Sequence, residues 1–124
     1  MSAPSLFVRL GGSAGIKAIV DGIVSRHMEN PVIRARFRPY LETEKLDITK
    51  QHLCAFLEAG SGGQMAYAGR SMPDAHRGMN ISEAEYLSAM DDIMASLQEQ
   101  GIDEQTQKDV LAITFSLKGE ILHV

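Results

Sequence analysis

The 124-residue sequence has no tryptophan, a single cysteine and few aromatic residues, which make up 6% of the chain. The single cysteine, Cys54, cannot form an internal disulfide, and such sparse cysteine is typical of a reducing compartment, so we expect a cytoplasmic protein. Apolar runs are too short to cross a bilayer, and the stretch "MSAPSLFVRL" lacks the apolar core of a secretory signal, so we expect no membrane partner. These absences argue against a disulfide-stabilised scaffold and against an integral membrane protein.

Acidic and basic residues nearly balance, with 16 aspartates and glutamates against 12 lysines and arginines. The net charge is −4, so the chain lacks the basic surface that nucleic-acid binding requires, and we expect no nucleic-acid partner. The length of 124 residues matches one domain, and we treat residues 1–124 as that single domain.

The sequence does not show the alternation of apolar and polar residues that is typical of strands, and it shows helical periodicity instead. Apolar residues recur at helical spacing in four segments: 14–29, 45–59, Ser82 to Gly101 and Asp103 to Ile121. Ser13 is a candidate cap for the first helix, and Pro31 ends it. Ser82 and Glu85 form a capping-box pattern, and Asp103 opens the last helix. The sequence therefore predicts an all-α protein.

The connection between the second and third of these segments is long for a helical domain. It runs through "GSGG" at 60–63 and contains one short helix, capped by Ser71 and confined between Pro73 and Gly78. So short a helix needs an anchor from outside itself. A ligand bonded to His76 would provide one.

Histidine is the one residue type here with clear ligand chemistry, and its four positions differ. His27 ends an apolar stripe and His123 is expected in solvent, while Asp91 and Asp92 are expected on a solvated helix face. His52 and His76, taken singly, have ordinary structural explanations, but as a pair on one cavity they suit the two sides of a haem iron. Zinc is poorly supported, because no third ligand stands at useful spacing, and no local catalytic triad motif is present. A histidine-phosphotransfer bundle remains an open alternative.

Several stretches together resemble the truncated haemoglobins, or two-over-two globins, of the first group. The stretches that carry the resemblance are "LFVRLGGSAGIKAIVDGIVSRHMENPVIRARF", "KQHLCAFLEAGSGG", "YAGRSMPDAHRGMNIS" and "MASLQEQGI". The resemblance implies a two-over-two helical sandwich around a haem, and a monomer that reversibly binds dioxygen, nitric oxide or carbon monoxide. It also leaves open an enzyme, a nitric oxide dioxygenase that works with a reductase.

Residue roles follow from the same resemblance. It implies that His76 is the proximal ligand of the haem iron, and we expect a backbone carbonyl of its own helix to orient the second ring nitrogen. His52 is the candidate distal ligand. The absence of a Cys-x-x-Cys-His motif predicts non-covalent haem b. The remaining cofactor-binding candidates are Phe37, Thr49, Leu53, Phe56, Met72, Ile81, Tyr86 and Met90, with Lys50 and Arg70 for the haem propionates.

One departure from the family pattern bears on ligand binding. Many members carry a Phe–Tyr pair whose tyrosine donates a hydrogen bond to dioxygen, whereas Ile23 and Val24 stand here. Neither side chain can donate. We therefore expect weaker retention of dioxygen than in tyrosine-bearing members.

Overall fold

The structure is a computed structural model, and it describes residues 4–37, 45–63 and 71–123. Within these ranges the regular elements are helices, which confirms the all-α prediction. One isolated backbone pairing joins Ile81 to Leu122 in the same ranges. The helices of the described ranges are α1 (Leu6–Arg9), α2 (Gly12–Glu29), α3 (Arg34–Phe37), α4 (Lys45–Ser61), α5 (Met72–His76), α6 (Glu83–Glu99), α7 (Glu104–Ser116) and α8 (Lys118–Ile121). No helix in the described part of the chain is long and apolar enough to cross a membrane.

Local side-chain chemistry starts three of the helices as predicted. The Ser71 hydroxyl accepts a hydrogen bond from the Asp74 N–H, which caps α5. Ser82 and Glu85 form the full capping box of α6, and the Asp103 carboxylate accepts from the Thr106 N–H at the start of α7. Each cap satisfies an N–H group that the helix itself leaves unpaired.

Ser13 does not cap α2, contrary to the prediction. The helix begins at Gly12, and its cap residue is Gly11, which makes no side-chain hydrogen bond and has φ of 95°. Glycine adopts this left-handed conformation without the steric penalty of a side chain, so the paired glycines turn the chain tightly from α1 into α2. At its other end α2 stops at Asn30, directly before Pro31, as expected.

The last predicted helix is divided into α7 and α8 at Leu117. The short helices α1 and α3 also lie outside the predicted segments, because each spans only four residues and too few turns for periodicity to be visible.

The main core lies where α2 packs against α4 on one side and α6 on the other. The approach of α2 to α6 is close, since a Cβ built at Gly22 would lie 2.4 Å from Ser96 Oγ. Ser96 is fully buried, and its hydroxyl donates to the Ile19 carbonyl at 2.8 Å. The buried core residues are Leu10, Ile16, Ile19, Val20, Ile23, Val24, Leu97 and Val110.

A smaller apolar cluster joins α6 to the chain on either side of it. Tyr86, Met90 and Ile121 are its buried members, and Met72, Ile81, Leu117 and Leu122 pack against them. This cluster places α8 beside α5.

Backbone and side-chain hydrogen bonds tie the same two regions together. The His123 N–H donates to the Ile81 carbonyl at 3.1 Å, and His123 Nδ1 lies 3.0 Å from Asn80 Oδ1. Asn80 and His123 both adopt positive φ, 47° and 57°, a conformation that costs a non-glycine residue energy and requires support from its surroundings. We call this pairing of residues 80–81 with residues 122–123 the C-terminal clamp. It fixes the segment that follows α5.

Candidate functional site

A cavity of about 1040 Å³ lies between the helices, at the upper end of the usual range for small-molecule sites. It reaches residues of every described helix, and its walls are mostly apolar. The α2 side of the wall consists of Ile16, Ile19, Ile23 and Val24, which are at most 3% exposed. A large, planar and mainly apolar ligand suits such a cavity.

His76 lies on the cavity lining at the end of α5. Its Nδ1 is 2.8 Å from the Met72 carbonyl oxygen, one turn earlier in the same helix. A carbonyl oxygen can only accept, so Nδ1 carries the hydrogen, and in the neutral ring the lone pair is on Nε2. The predicted orienting hydrogen bond is therefore present. It leaves Nε2 available to bind a metal.

Contacts on both sides of His76 hold this short segment. Arg77 pairs with Asp74 at 2.6 Å, and the Met79 N–H donates to the His76 carbonyl at 3.0 Å. Gly78 then turns the chain with φ of 85°, and the C-terminal clamp holds the residues that follow. The backbone around His76 is thus fixed by local bonds and by a distant part of the chain.

Eight of the predicted site residues lie together on the cavity lining. Leu53 and Phe56 are partly buried, whereas Thr49 and His52 are exposed at the outer side of the same helix, α4. The eight are Thr49, His52, Leu53, Phe56, Met72, His76, Ile81 and Tyr86.

The other four predicted residues are placed differently. Lys50 is not on the lining, and its Nζ lies 3.4 Å from an Asp21 carboxylate oxygen. Met90 is buried in the smaller apolar cluster, behind the lining. Arg70 and the side chain of Phe37 lie outside the described residues.

Tyr86 contributes a polar group to an otherwise apolar part of the wall. Its hydroxyl donates to the Thr114 carbonyl, which links α6 to α7. Burial raises the pKa of the Tyr86 hydroxyl, because the phenolate would be poorly solvated there. Tyr86 therefore remains a neutral donor near neutral pH.

His27 is a lining residue to which the sequence assigned only a structural position. Its Nδ1 is 2.8 Å from Asp92 Oδ2, and Asn30 Nδ2 donates to the same oxygen at 3.0 Å. Burial lowers the pKa of His27 more than Asp92 raises it. Asp92 is therefore a partner within the protein, and the prediction of a solvated face is confirmed for Asp91 alone. The sequence did hold a signal for this position, because His27 continues the apolar stripe of Ile23 and Val24, which also lie on the lining.

Arg36 and Glu85 are lining residues that the sequence did not indicate as such, since it assigned Glu85 only to the α6 capping box and gave Arg36 no role. Arg36 Nε and Nη2 donate to the two Glu85 carboxylate oxygens at 2.9 and 3.1 Å. This two-bond pairing raises the pKa of Arg36 and lowers that of Glu85. Both groups are charged near neutral pH. No sequence pattern could have revealed the pair, because its members lie 49 residues apart.

These features fit a haem. Within the described ranges, no group of three His, Cys, Asp or Glu side chains could hold a bare metal ion. A porphyrin supplies its own nitrogen ligands and needs from the protein an apolar slot and an oriented imidazole. The cavity and His76 provide both.

Comparison with known proteins agrees with this geometry. The profile of the bacterial-like globin family matches residues 5–123. A group 1 truncated haemoglobin of Synechocystis is 28% identical over 115 residues, which cover 88% of each chain.

Solved structures show the same fold. The Fe(III) form of a truncated haemoglobin from Tetrahymena pyriformis has a TM-score of 0.89 at 21% identity, and the match covers 98% of this chain and 100% of the other. A two-over-two haemoglobin from Synechococcus, in the cyanomet state with covalently attached haem, has a TM-score of 0.85 at 22% identity, with 96% and 98% covered. The predicted two-over-two architecture is confirmed.

Proposed function

Because this chain belongs to the bacterial-like globin family, which implies a haem and small-gas binding, we propose that it reversibly binds dioxygen, nitric oxide or carbon monoxide at a non-covalently held haem b. When bound, the haem supplies the iron at which a small gas coordinates. The protein supplies the slot, the axial imidazole and the polarity of the remaining space.

The single observation that carries this proposal is the orientation of His76. The hydrogen bond from Nδ1 to the Met72 carbonyl fixes the tautomer and the ring plane before any ligand arrives. Preorganisation of this kind reduces the entropy that binding must otherwise remove. His76 is accordingly assigned as the proximal residue.

The apolar wall residues of α2 and α4 would exclude water from around a bound haem. Ile23 and Val24, at 3% and 2% exposure, present only methyl groups to the cavity, and Leu53 and Phe56 extend the apolar wall on α4. None of these four side chains can donate a hydrogen bond. This part of the wall offers bound dioxygen no hydrogen bond, so we expect weaker retention of dioxygen than in relatives with a tyrosine at the position of Val24.

The proposal is tested by reconstituting the purified protein with haem and recording its absorption spectrum. We expect a Soret band that His76→Gly abolishes and that added imidazole restores. Asp91→Gly is the matched control, because it introduces the same flexible residue at an exposed helical position outside the cavity lining, and it should retain haem. A wild-type protein that forms no Soret band contradicts haem binding and directs attention to phosphotransfer on His52 or His76.

Two further measurements test the finer assignments. Acidified organic solvent should extract all of the haem, whereas haem that stays with the polypeptide would show covalent attachment. When a reductase is supplied, nitric oxide consumption should stop after about one equivalent per haem and then return to the buffer rate. Sustained consumption would assign the chain as a nitric oxide dioxygenase instead.

A further inference from the structure

The charge on the cavity lining is concentrated at one place. Among the lining residues that the structure describes, Arg36 is the only lysine or arginine. Its side chain is 32% exposed, so the guanidinium lies at the edge of the cavity and not in its depth. The lining therefore combines apolar walls with one charged edge, where Arg36 lies beside Glu85.

Glu85 fixes the direction of this guanidinium without using all of its donors. Two nitrogens of Arg36, Nε and Nη2, donate to Glu85, and the third, Nη1, makes no hydrogen bond within the described residues. Glu85 Oε1 is held in turn by the Ser82 N–H at 3.2 Å, as part of the α6 capping box. The free donor is thus attached to a rigid helix end.

We propose that Arg36 binds a propionate carboxylate of the haem through this remaining donor. The inference rests on the haem-binding function proposed above. A haem carries two carboxylates on one edge, and neither can be placed against the apolar walls without losing its hydration. A charge-assisted hydrogen bond at the wet edge of the cavity compensates for that loss. This contact would orient the haem with a propionate toward Arg36, where α3 meets α6.

Lys50, the alternative cation suggested by the sequence, is less suitable for binding a haem propionate. Its ammonium group is paired with Asp21 and does not border the cavity. Arg36 has a carboxylate partner too, but its planar fork can donate to a second carboxylate at the same time.

The test compares the rates at which haem and haem dimethyl ester leave the ferric holoprotein to an excess of an acceptor apoprotein. The ester has no carboxylate charge and isolates the proposed contact. We expect Arg36→Met to speed the loss of haem about tenfold, the effect of one charge-assisted hydrogen bond, and to leave the loss of the ester unchanged. Arg34→Met removes the same charge at an exposed site of the same helix and should change neither rate by more than about twofold.

The outcomes separate the possible explanations. Equal acceleration of haem and ester by Arg36→Met would show a purely structural role, and no acceleration of either would also overturn the proposal. If Arg36→Met does not fold, Arg36→Lys replaces it, with the same selective loss of haem over ester required. A wild-type protein that takes up the ester but not haem contradicts the propionate contact, whereas one that takes up neither contradicts the proposed function itself.

Discussion

The close crossing of α2 and α6 provides a sharp test of the packing, because two physical effects oppose each other at Gly22. Helix propensity alone predicts that Gly22→Ala stabilises the protein by about 1 kcal/mol. The structure predicts the opposite, since the new Cβ would lie 2.4 Å from Ser96 Oγ, far inside contact distance. Ser96 is fully buried, and its hydroxyl is held by the Ile19 carbonyl at 2.8 Å, so any movement away from the new Cβ breaks that hydrogen bond.

The magnitude follows from what must move. Overpacking of this kind costs about 1–3 kcal/mol, and displacement of the Ser96 hydroxyl from the Ile19 carbonyl costs roughly 1 kcal/mol more. The gain in helix propensity offsets only one of these terms. We therefore expect Gly22→Ala to lower the free energy of unfolding by about 1–3 kcal/mol.

The assay is urea unfolding of the holoprotein, followed by far-ultraviolet circular dichroism at one haem-to-protein ratio, because bound ligand adds to stability by mass action. Gly119→Ala is the matched control: Gly119 lies in helix α8, away from the cavity lining, and a Cβ there meets nothing within 4 Å. This control should be stabilised by about 0.5–1 kcal/mol.

A double variant completes the test. Ser96→Ala removes the clashing oxygen and leaves the Ser96 Cβ at 3.4 Å from the new methyl group, close to ordinary contact. Gly22→Ala with Ser96→Ala should therefore be less destabilised than the sum of the single variants by at least about 1 kcal/mol. Additive effects, or a Gly22→Ala protein more stable than wild type, would refute the close crossing.

Three further predictions concern the cavity. Val24→Tyr adds a hydrogen-bond donor to the wall and should slow dioxygen dissociation up to about tenfold, the effect of a hydrogen bond of about 0.5–1.5 kcal/mol. Carbon monoxide should respond less, and equal slowing of both gases in rapid-mixing experiments would mean that access governs the rates. His52→Ala should convert a six-coordinate low-spin ferrous spectrum into a five-coordinate high-spin one, and an unchanged spectrum would exclude His52 as the distal ligand. The buried His27 has its pKa lowered in the native state, so the unfolded chain binds more protons and the free energy of unfolding falls as pH drops below 6.5. His27→Gln should flatten this fall in urea titrations between about pH 7 and pH 5, and an unaltered slope would contradict the role of His27.

Features governed by neighbouring residues were predictable from the sequence. Ser71, Ser82 with Glu85, and Asp103 all cap helices as expected, because each cap joins residues three apart in the chain. The exception is the start of α2, where backbone conformation at Gly11 replaces a side-chain cap. A serine at the right place is thus insufficient when a paired glycine offers a tighter turn.

Features governed by distant residues were not predictable. The break at Leu117 has no glycine or proline at the break itself, since Gly119 lies inside α8, and it lets α8 turn Ile121 into the cluster around Tyr86. The Arg36–Glu85 pair likewise depends on α3 and α6 meeting in space. His76 was predicted as the proximal ligand from its short helix and the family resemblance together, and its position on the cavity lining agrees with that prediction, whereas the charge at the cavity edge required the folded chain.

The C-terminal clamp has a consequence for the order of events during biosynthesis. It joins Asn80 to His123, 43 residues later, so the segment behind His76 stays unfastened while those residues are being translated. At about 5–20 residues per second, this interval lasts a few seconds. The contacts of α2 with α4 can form within it, since both helices precede residue 62. A nascent chain would therefore have one side of its cavity assembled well before the segment behind His76 is fastened, so completion of the cavity becomes one of the last steps of maturation.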